Sequence, residues 1–260
     1  MRWVILINTT PKYMPLVEVQ VVCIRRYAKE LIDVPIFLAT EMSAADPVVS
    51  RVLELENVHL ISLSDSESEF LESRVAAFKY LPEDYDFVLP LQEDFWLDRA
   101  PDYVALKEAV DIMSSDSAVQ SIRLMPSPGP HESDMTYKGR WAILSEKDTY
   151  RFTFQATLWR REIYVEFLTS VIQSGMADYG LSSYTNWSKF CVRVNIAENA
   201  KGQAIFKELC MSNGKVHLSV QREHKGANAV FLAPWPYRPT AVVQGNLEPW
   251  AKEFMGREGF

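Results

Sequence analysis

Phe87-Val88-Leu89-Pro90-Leu91-Gln92-Glu93-Asp94-Phe95-Trp96-Leu97 is an apolar run that ends in two adjacent carboxylates and then resumes with aromatic and aliphatic residues. A strand buried on both faces reads as such a run. Carboxylates do not belong inside it unless they are paired or hold a metal. In open α/β sheets, ligands bind just outside the carboxyl ends of the strands, so Glu93 and Asp94 fall where a site is expected. Composition alone also allows a plainer reading, an acidic turn opening a solvated loop. Pro90 has no N–H for a ladder, which predicts that this strand is locally an edge, bulged or already ending there.

Upstream, Trp3 to Ile7 is an apolar run closed by Asn8-Thr9-Thr10-Pro11, a strand followed by a turn. Val17, Val21, Ile24 and Leu31 recur at helical spacing and predict a helix from about Pro15 to Leu31. Residues 35–40 and 58–63 read as two further short buried strands. The polar break Ser64 to Glu69 leads into a helix with Leu71, Val75 and Phe78 on one stripe. Strands alternating with helices imply βαβ units, a mostly parallel sheet and right-handed crossovers. The fold class is therefore α/β, a Rossmann-type sheet flanked by helices.

Downstream the pattern is less regular. Val104 to Met113 reads as a helix and Val119 to Leu124 as a strand, followed by a proline-rich loop from Met125 to Gly139. Arg151 to Trp159 alternates in part, and a helix from about Arg160 to Gln173 carries Ile163, Phe167 and Val171 on one face. Pro234 to Phe260 reads as an ordered surface tail. No repeat or linker divides the chain, so a single domain over residues 1–260 is expected, with halves of about 1–98 and 99–260.

The net charge of −7 and pI near 5.3 argue against a generally basic nucleic-acid-binding surface. Arg160, Arg161, Lys189 and Arg193 are the residues from which a local phosphate-binding face could be built. Cys23, Cys191 and Cys210 are far apart and form no CxxC, which fits buried thiols in a reducing compartment. Four scattered histidines offer no zinc motif, and no GxGxxG follows the first strand. The apolar start is too short for a signal peptide and no segment reaches membrane-spanning length, so the expected location is the cytoplasm.

Adjacent carboxylates at a strand end suit Mg²⁺ or Mn²⁺, which takes one or two protein carboxylates and completes its shell with phosphate oxygens. Neighbouring side chains on extended backbone point apart. Asp94 is therefore assigned to the metal, and Glu93 to a sugar or a positive partner.

The order of these segments resembles that of small nucleotide-sugar glycosyltransferases of the GT-A fold, of bacterial and viral type. The resemblance rests on Thr9-Thr10-Pro11-Lys12-Tyr13 after the first strand, the helix from Glu69 to Tyr80, and Leu91 to Leu97, which matches a DxD variant reduced to Glu-Asp. Phe154-Gln155-Ala156-Thr157-Leu158-Trp159-Arg160-Arg161-Glu162 resembles the entry to the acceptor-side helix. The outline covers roughly residues 3 to 200. It departs from the family pattern in lacking a true DxD, in Pro90, and in having Trp187-Ser188-Lys189-Phe190 where a Trp-x-x-Glu is sometimes found.

The resemblance implies a nucleotide-sugar donor, UDP-linked, and a hydroxyl acceptor, with a glycan first and a modified nucleobase as the alternative. Nucleic acid is the less favoured partner. Thr9 and Thr10 would lie by the nucleotide, and Arg74 by the diphosphate. The cationic loop with Arg222, His224 and Lys225 would close over the leaving group. An inverting transfer needs a base to deprotonate the acceptor, for which Asp178 and Glu198 are the candidates; a retaining transfer does not need it there. Gln155, Trp159, Trp187 and Tyr184 would line the acceptor side. Two alternatives stand beside this reading: a sugar nucleotidyltransferase, and a carbohydrate-binding or scaffolding protein that keeps the fold without turnover.

Overall fold

The computed structural model describes residues 2–67, 69–126, 136–148, 150–178, 197–198, 200–221, 233–237, 241–243 and 246–260. The four strands read from the first hundred residues lie parallel and adjacent. They are β1 (Trp3–Asn8), β2 (Ile36–Thr40), β3 (Val58–Ser62) and β4 (Phe87–Gln92), in the order β3-β2-β1-β4. The chain steps outward from β1 to β2 to β3, then returns to place β4 on the other side of β1. That reversal is a topological switch point, and it opens a crevice at the carboxyl ends of β1 and β4.

The same sheet continues beyond β4 through β8 (Thr157–Arg160), β5 (Val119–Arg123), β9 (Val216–Val220), β7 (Trp141–Ile143) and β6 (Thr136–Lys138), nine strands among the described residues. β8 runs antiparallel to both β4 and β5, while β5 and β9 are parallel. β8 pairs with β4 only at Phe87 and Val88. Pro90 therefore has a ladder partner on the β1 side alone, opposite Leu6. An otherwise interior strand tolerates its proline because it is locally an edge there.

β1 explains why the first half folds as it does. Ile5 and Ile7 face one core with Val17, Val21, Val49 and Leu106; Val4 and Leu6 face another with Leu71, Ile163 and Phe206. The first core lies under α1 (Met14–Tyr27), α2 (Pro47–Leu53) and α4 (Tyr103–Ser115). The second lies under α3 (Phe70–Tyr80), α5 (Arg161–Asp178) and α6 (Ala200–Cys210). Each aliphatic side chain so buried contributes roughly 1.5–3 kcal/mol. Strands sandwiched this way need apolar residues at every position, which is why they read as runs rather than alternations.

Several elements were not expected from sequence. α2 starts at Asp46, whose carboxylate accepts from the Val48 and Val49 amides at 2.9 and 3.3 Å, with Pro47 in the first turn. The expected surface tail is interior where it begins: Trp235, Tyr237 and Ala241 are fully buried. It continues as a small hairpin of β10 (Val242–Val243) and β11 (Asn246–Leu247), then α7 (Pro249–Glu258). α7 stops where Gly259 takes φ +90°, a backbone that favours glycine. Long-range contacts, invisible to local patterning, draw this segment in.

The arginines considered for a phosphate-binding face are committed elsewhere. Arg160 donates to the carbonyls of Val119, Met113 and Asp116, and Arg161 to those of Phe78, Leu81 and Pro82. Both cap helix C-termini, α4 and α3, where carbonyls lack intrahelical donors. Lys189 and Arg193 lie outside the described residues. Cys23 and Cys210 are buried free thiols, each pushed up to about 12 chiefly by burial; Cys191 lies outside the described residues. Among the described residues no helix is long and apolar enough to cross a membrane.

Candidate functional site

At the carboxyl edge of the switch point, Asn8 closes β1 between Ala39 of β2 and Gln92 of β4. The next residue, Thr9, is buried; its amide donates to Ala39 O at 3.1 Å and its hydroxyl to Thr10 O at 3.3 Å. Thr10 is half-buried. Across the crevice β4 gives way to a tight turn, closed by the Phe95 amide donating to Gln92 O at 3.2 Å. Glu93 and Asp94 occupy that turn.

The two carboxylates are short of positive charge. Burial pushes the half-buried Glu93 up to about 7; the neighbouring Asp94 charge adds to the rise, while its own amide and Arg74 oppose it. Asp94 is only 9% exposed and is also raised by burial, against the pull of the Val242, Asp94 and Ala241 amides. Arg74 projects from α3, buried, and its guanidinium lies 3.8 Å over the Phe70 ring while donating to Phe70 O at 2.6 Å. Burial lowers its pKa, opposed by the Tyr164 hydroxyl and by Glu93. The buried Arg74 guanidinium thus acts on Glu93, while backbone amides alone offset burial at Asp94.

Polar atoms around this edge are also left unmatched. Asn8 Nδ2, Gln20 Oε1 and Glu41 Oε2, all buried, have no hydrogen-bond partner among the described residues. Asn8 ends β1, Glu41 follows the last residue of β2, and Gln20 reaches from α1 to donate to Gln92 O at 2.6 Å. Burying such a group unpaired costs about 1–3 kcal/mol each.

The acceptor-side residues separate. Gln155 comes close to the edge: Tyr237 donates its hydroxyl to Gln155 Oε1, and its ring stacks on Phe95 at 4.5 Å. Trp159 does not. It is 2% exposed within a ring cluster of Phe152, Tyr164, Phe206 and His217, so no face is open to a sugar. It packs the core because β8 alternation turns it toward α5 and α6. Glu198 Oε1 accepts from the Thr153 hydroxyl at 2.7 Å and the Phe154 amide at 2.6 Å, holding the approach to β8. Asp178 ends α5, but its side chain lies outside the described residues, as do Tyr184, Trp187, Arg222, His224 and Lys225.

Sequence reasoning missed Asn8, Glu41, Tyr164 and Tyr237. Asn8 and Glu41 did carry a signal, each being a polar residue just past a strand's apolar run. Tyr164 and Tyr237 reach the edge by tertiary contact alone.

A divalent cation suits this donor set. Among the described residues no group of three or more His, Cys, Asp or Glu gathers as a full protein cage. Two hard carboxylates with uncompensated charge match the kind of site that Mg²⁺ or Mn²⁺ completes with phosphate oxygens.

No family model and no curated protein matches the chain. Among solved structures it is similar to the first 349 residues of Staphylococcus aureus TarS, at 11% identity, over 86% of this chain and 59% of that one, with a TM-score of 0.48. It is also similar to mouse xyloside xylosyltransferase 1, at 12% identity over 88% and 99% of the two chains, with a TM-score of 0.39. A third likeness is to a 4-diphosphocytidyl-2C-methyl-D-erythritol synthase from Anaerococcus prevotii, at 12% identity over 74% and 83%, with a TM-score of 0.43. These likenesses are distant.

Proposed function

We propose that the crevice between β1 and β4 binds a nucleoside-diphosphate sugar, UDP-linked, and that the chain transfers the sugar to a hydroxyl acceptor, a glycan in the first instance. The observation that carries this reading is the convergence of unpaired buried polar atoms and undercompensated carboxylates at the switch point between β1 and β4. A ligand with hydrogen-bonding edges and an associated cation would satisfy both deficits at once.

In this reading residues 1–98 are the donor-binding half and residues 99–260 the acceptor-binding half of one domain. Thr9, Thr10, Asn8 and Glu41 meet the nucleoside. Asp94 holds Mn²⁺ or Mg²⁺, which when bound neutralises charge on a diphosphate leaving group, and Glu93 faces the sugar or its positive partner Arg74. Arg74 is the counter-charge that keeps Glu93 oriented toward the diphosphate. Gln155, held by Tyr237, lines the acceptor side with Trp187. Of the two base candidates, Glu198 is engaged with Thr153 and Phe154, which leaves Asp178 for an inverting transfer.

The deciding experiment is a donor screen by UDP or GDP release with Mn²⁺, alongside calorimetric binding of UDP. Metal-dependent UDP binding with UDP release supports the reading. Pyrophosphate release would assign nucleotidyl transfer instead. Binding of acceptor glycans without any nucleotide binding would make the chain a carbohydrate-binding protein.

A further inference from the structure

The acidic turn is held from behind, by a part of the chain that lies far away in sequence. Trp96, two residues after Asp94, is fully buried, and its indole N–H donates to Glu93 O at 3.0 Å and to Leu16 O at 3.2 Å. Its ring stacks on Phe254 at 5.7 Å and meets Trp250 edge-on at 6.0 Å, both from α7. Leu16, Val19 and Cys23 on α1, facing away from the sheet, complete a separate small core with Trp96, Ala241, Ala251 and Phe254. The segment is latched at its far end. Glu258 accepts from Tyr27 Oη at 2.7 Å and pairs with Arg26 at 2.5 Å. At its near end, the Ala241 and Val242 amides face the Asp94 carboxylate.

The geometry points to Trp96 as a positioning residue and to the C-terminal segment, hairpin and α7, as the brace that sets the geometry of Glu93 and Asp94. Three contacts carry this: the indole N–H fixes the Glu93 carbonyl, α7 fixes the indole, and residues 241–242 face the carboxylate. An indole wedged between two aromatic rings and two carbonyls has one orientation open to it. The turn backbone it holds therefore has one as well. A site of this kind needs its groups held within about 0.5 Å, by neighbours whose own rotamers are locked. The functional part of this inference rests on the nucleotide-sugar reading; the mechanical part does not.

Trp96→Phe keeps the ring and removes the N–H; Phe254→Ala leaves Trp96 intact and removes its support. Val171→Ala, in the core on the other face of the sheet beneath α5, is the control for general destabilisation. Two readouts are taken on full-length protein at a temperature where circular dichroism shows every variant folded. The first is hydrogen exchange of a peptide covering residues 92–97; the second is the Kd for UDP with Mn²⁺. Trp96→Phe and Phe254→Ala are expected to exchange this peptide at least tenfold faster and to bind UDP about tenfold more weakly, while Val171→Ala changes neither. If the Phe254→Ala turn exchanges at the wild-type rate, the brace is refuted, whatever the ligand. Faster exchange with unchanged UDP affinity overturns the positioning role. If the wild type binds no nucleotide, the nucleotide-sugar reading fails, and exchange alone decides the brace. Should Trp96→Phe not fold, Phe254→Ala carries the same test.

Discussion

The carboxyl edge of β1 and β4 and the buried polar networks around β8, β5 and β9 solve the same problem in opposite ways. In the second region polar groups close on one another. Gln203 accepts from the Arg151 and Phe152 amides at 2.8 and 3.0 Å and donates to Phe152 O at 2.7 Å. His217 sits between Ser121 Oγ and Cys210 O, each at 2.8 Å. At the first edge Asn8, Gln20 and Glu41 keep unmatched atoms, and of the two carboxylates only Glu93 is acted on by the Arg74 guanidinium. Closed networks are architecture, whereas polar groups left open at a switch point are retained at a cost to stability. The difference predicts which substitutions act on function and which on folding.

The largest effect is expected at Asp94. Asp94→Asn keeps shape and removes charge, so metal-dependent UDP release should fall by about a thousandfold, roughly 4 kcal/mol of transition-state stabilisation. Its thermal midpoint should stay at or above that of the wild type, because a buried and undercompensated charge is gone. Full activity in this variant would remove Asp94 from the site and erase the contrast between the two regions.

Next comes the closed side, tested by pH. Cys210 O can only accept, so His217 Nε2 carries the hydrogen and Nδ1 accepts from Ser121. Burial lowers the His217 pKa from 6.5 to about 4. The unfolded chain therefore binds more protons between those values, and stability rises with pH across that window. Acidifying from pH 6.5 to 4 should remove about 3 kcal/mol through this group. Urea midpoints measured along the series should show a flatter slope in His217→Gln. An equal slope in both proteins would mean that the imidazole is not held neutral.

Gln203→Ala probes the same side more gently. It strips the acceptor from two amides and should cost about 2 kcal/mol in urea denaturation, with the Kd for UDP unchanged where the protein is folded. A loss of nucleotide affinity without loss of stability would show that the loop before β8 belongs to the donor site.

How far sequence carried the reading follows the same divide. The first hundred residues were legible because strands buried on both faces leave unbroken apolar runs, and the carboxylates after Gln92 broke one visibly. Of the three readings Pro90 allowed, edge, bulge or strand end, the local edge is the one found, because a missing donor is a local property. Trp159 was misplaced because a tryptophan near a strand end looks the same whether it faces ligand or core; only β8 pairing with β4 and β5 decides. The buried positions of residues 234–260 were misread as surface for a related reason. Trp235, Tyr237 and Phe254 are ordinary in sequence and become interior through partners such as Phe95 and Trp96, roughly 140 to 160 positions away. Unmatched atoms such as Asn8 Nδ2 and Glu41 Oε2 cannot be seen in sequence at all, since being unpaired is a property of the assembled edge.

Asn8→Val is the smallest and sharpest test of the comparison, because the two sides of its effect should have opposite signs. Asn8 is the last residue of β1, 4% exposed, between Ala39 and Gln92, with Nδ2 unpartnered among the described residues. Valine suits a strand and brings no polar atom. Relief of one unmatched buried donor should stabilise the ligand-free protein by about 1 kcal/mol in urea denaturation. The same change should weaken UDP binding about tenfold, since the donor that a nucleoside would satisfy is lost. At Gln203 and His217 no substitution should behave this way, because their side-chain polar atoms already have partners and removing them can only cost stability. If Asn8→Val instead destabilises the fold and leaves nucleotide affinity intact, the edge is architecture like the rest, and the crevice loses its claim to a ligand.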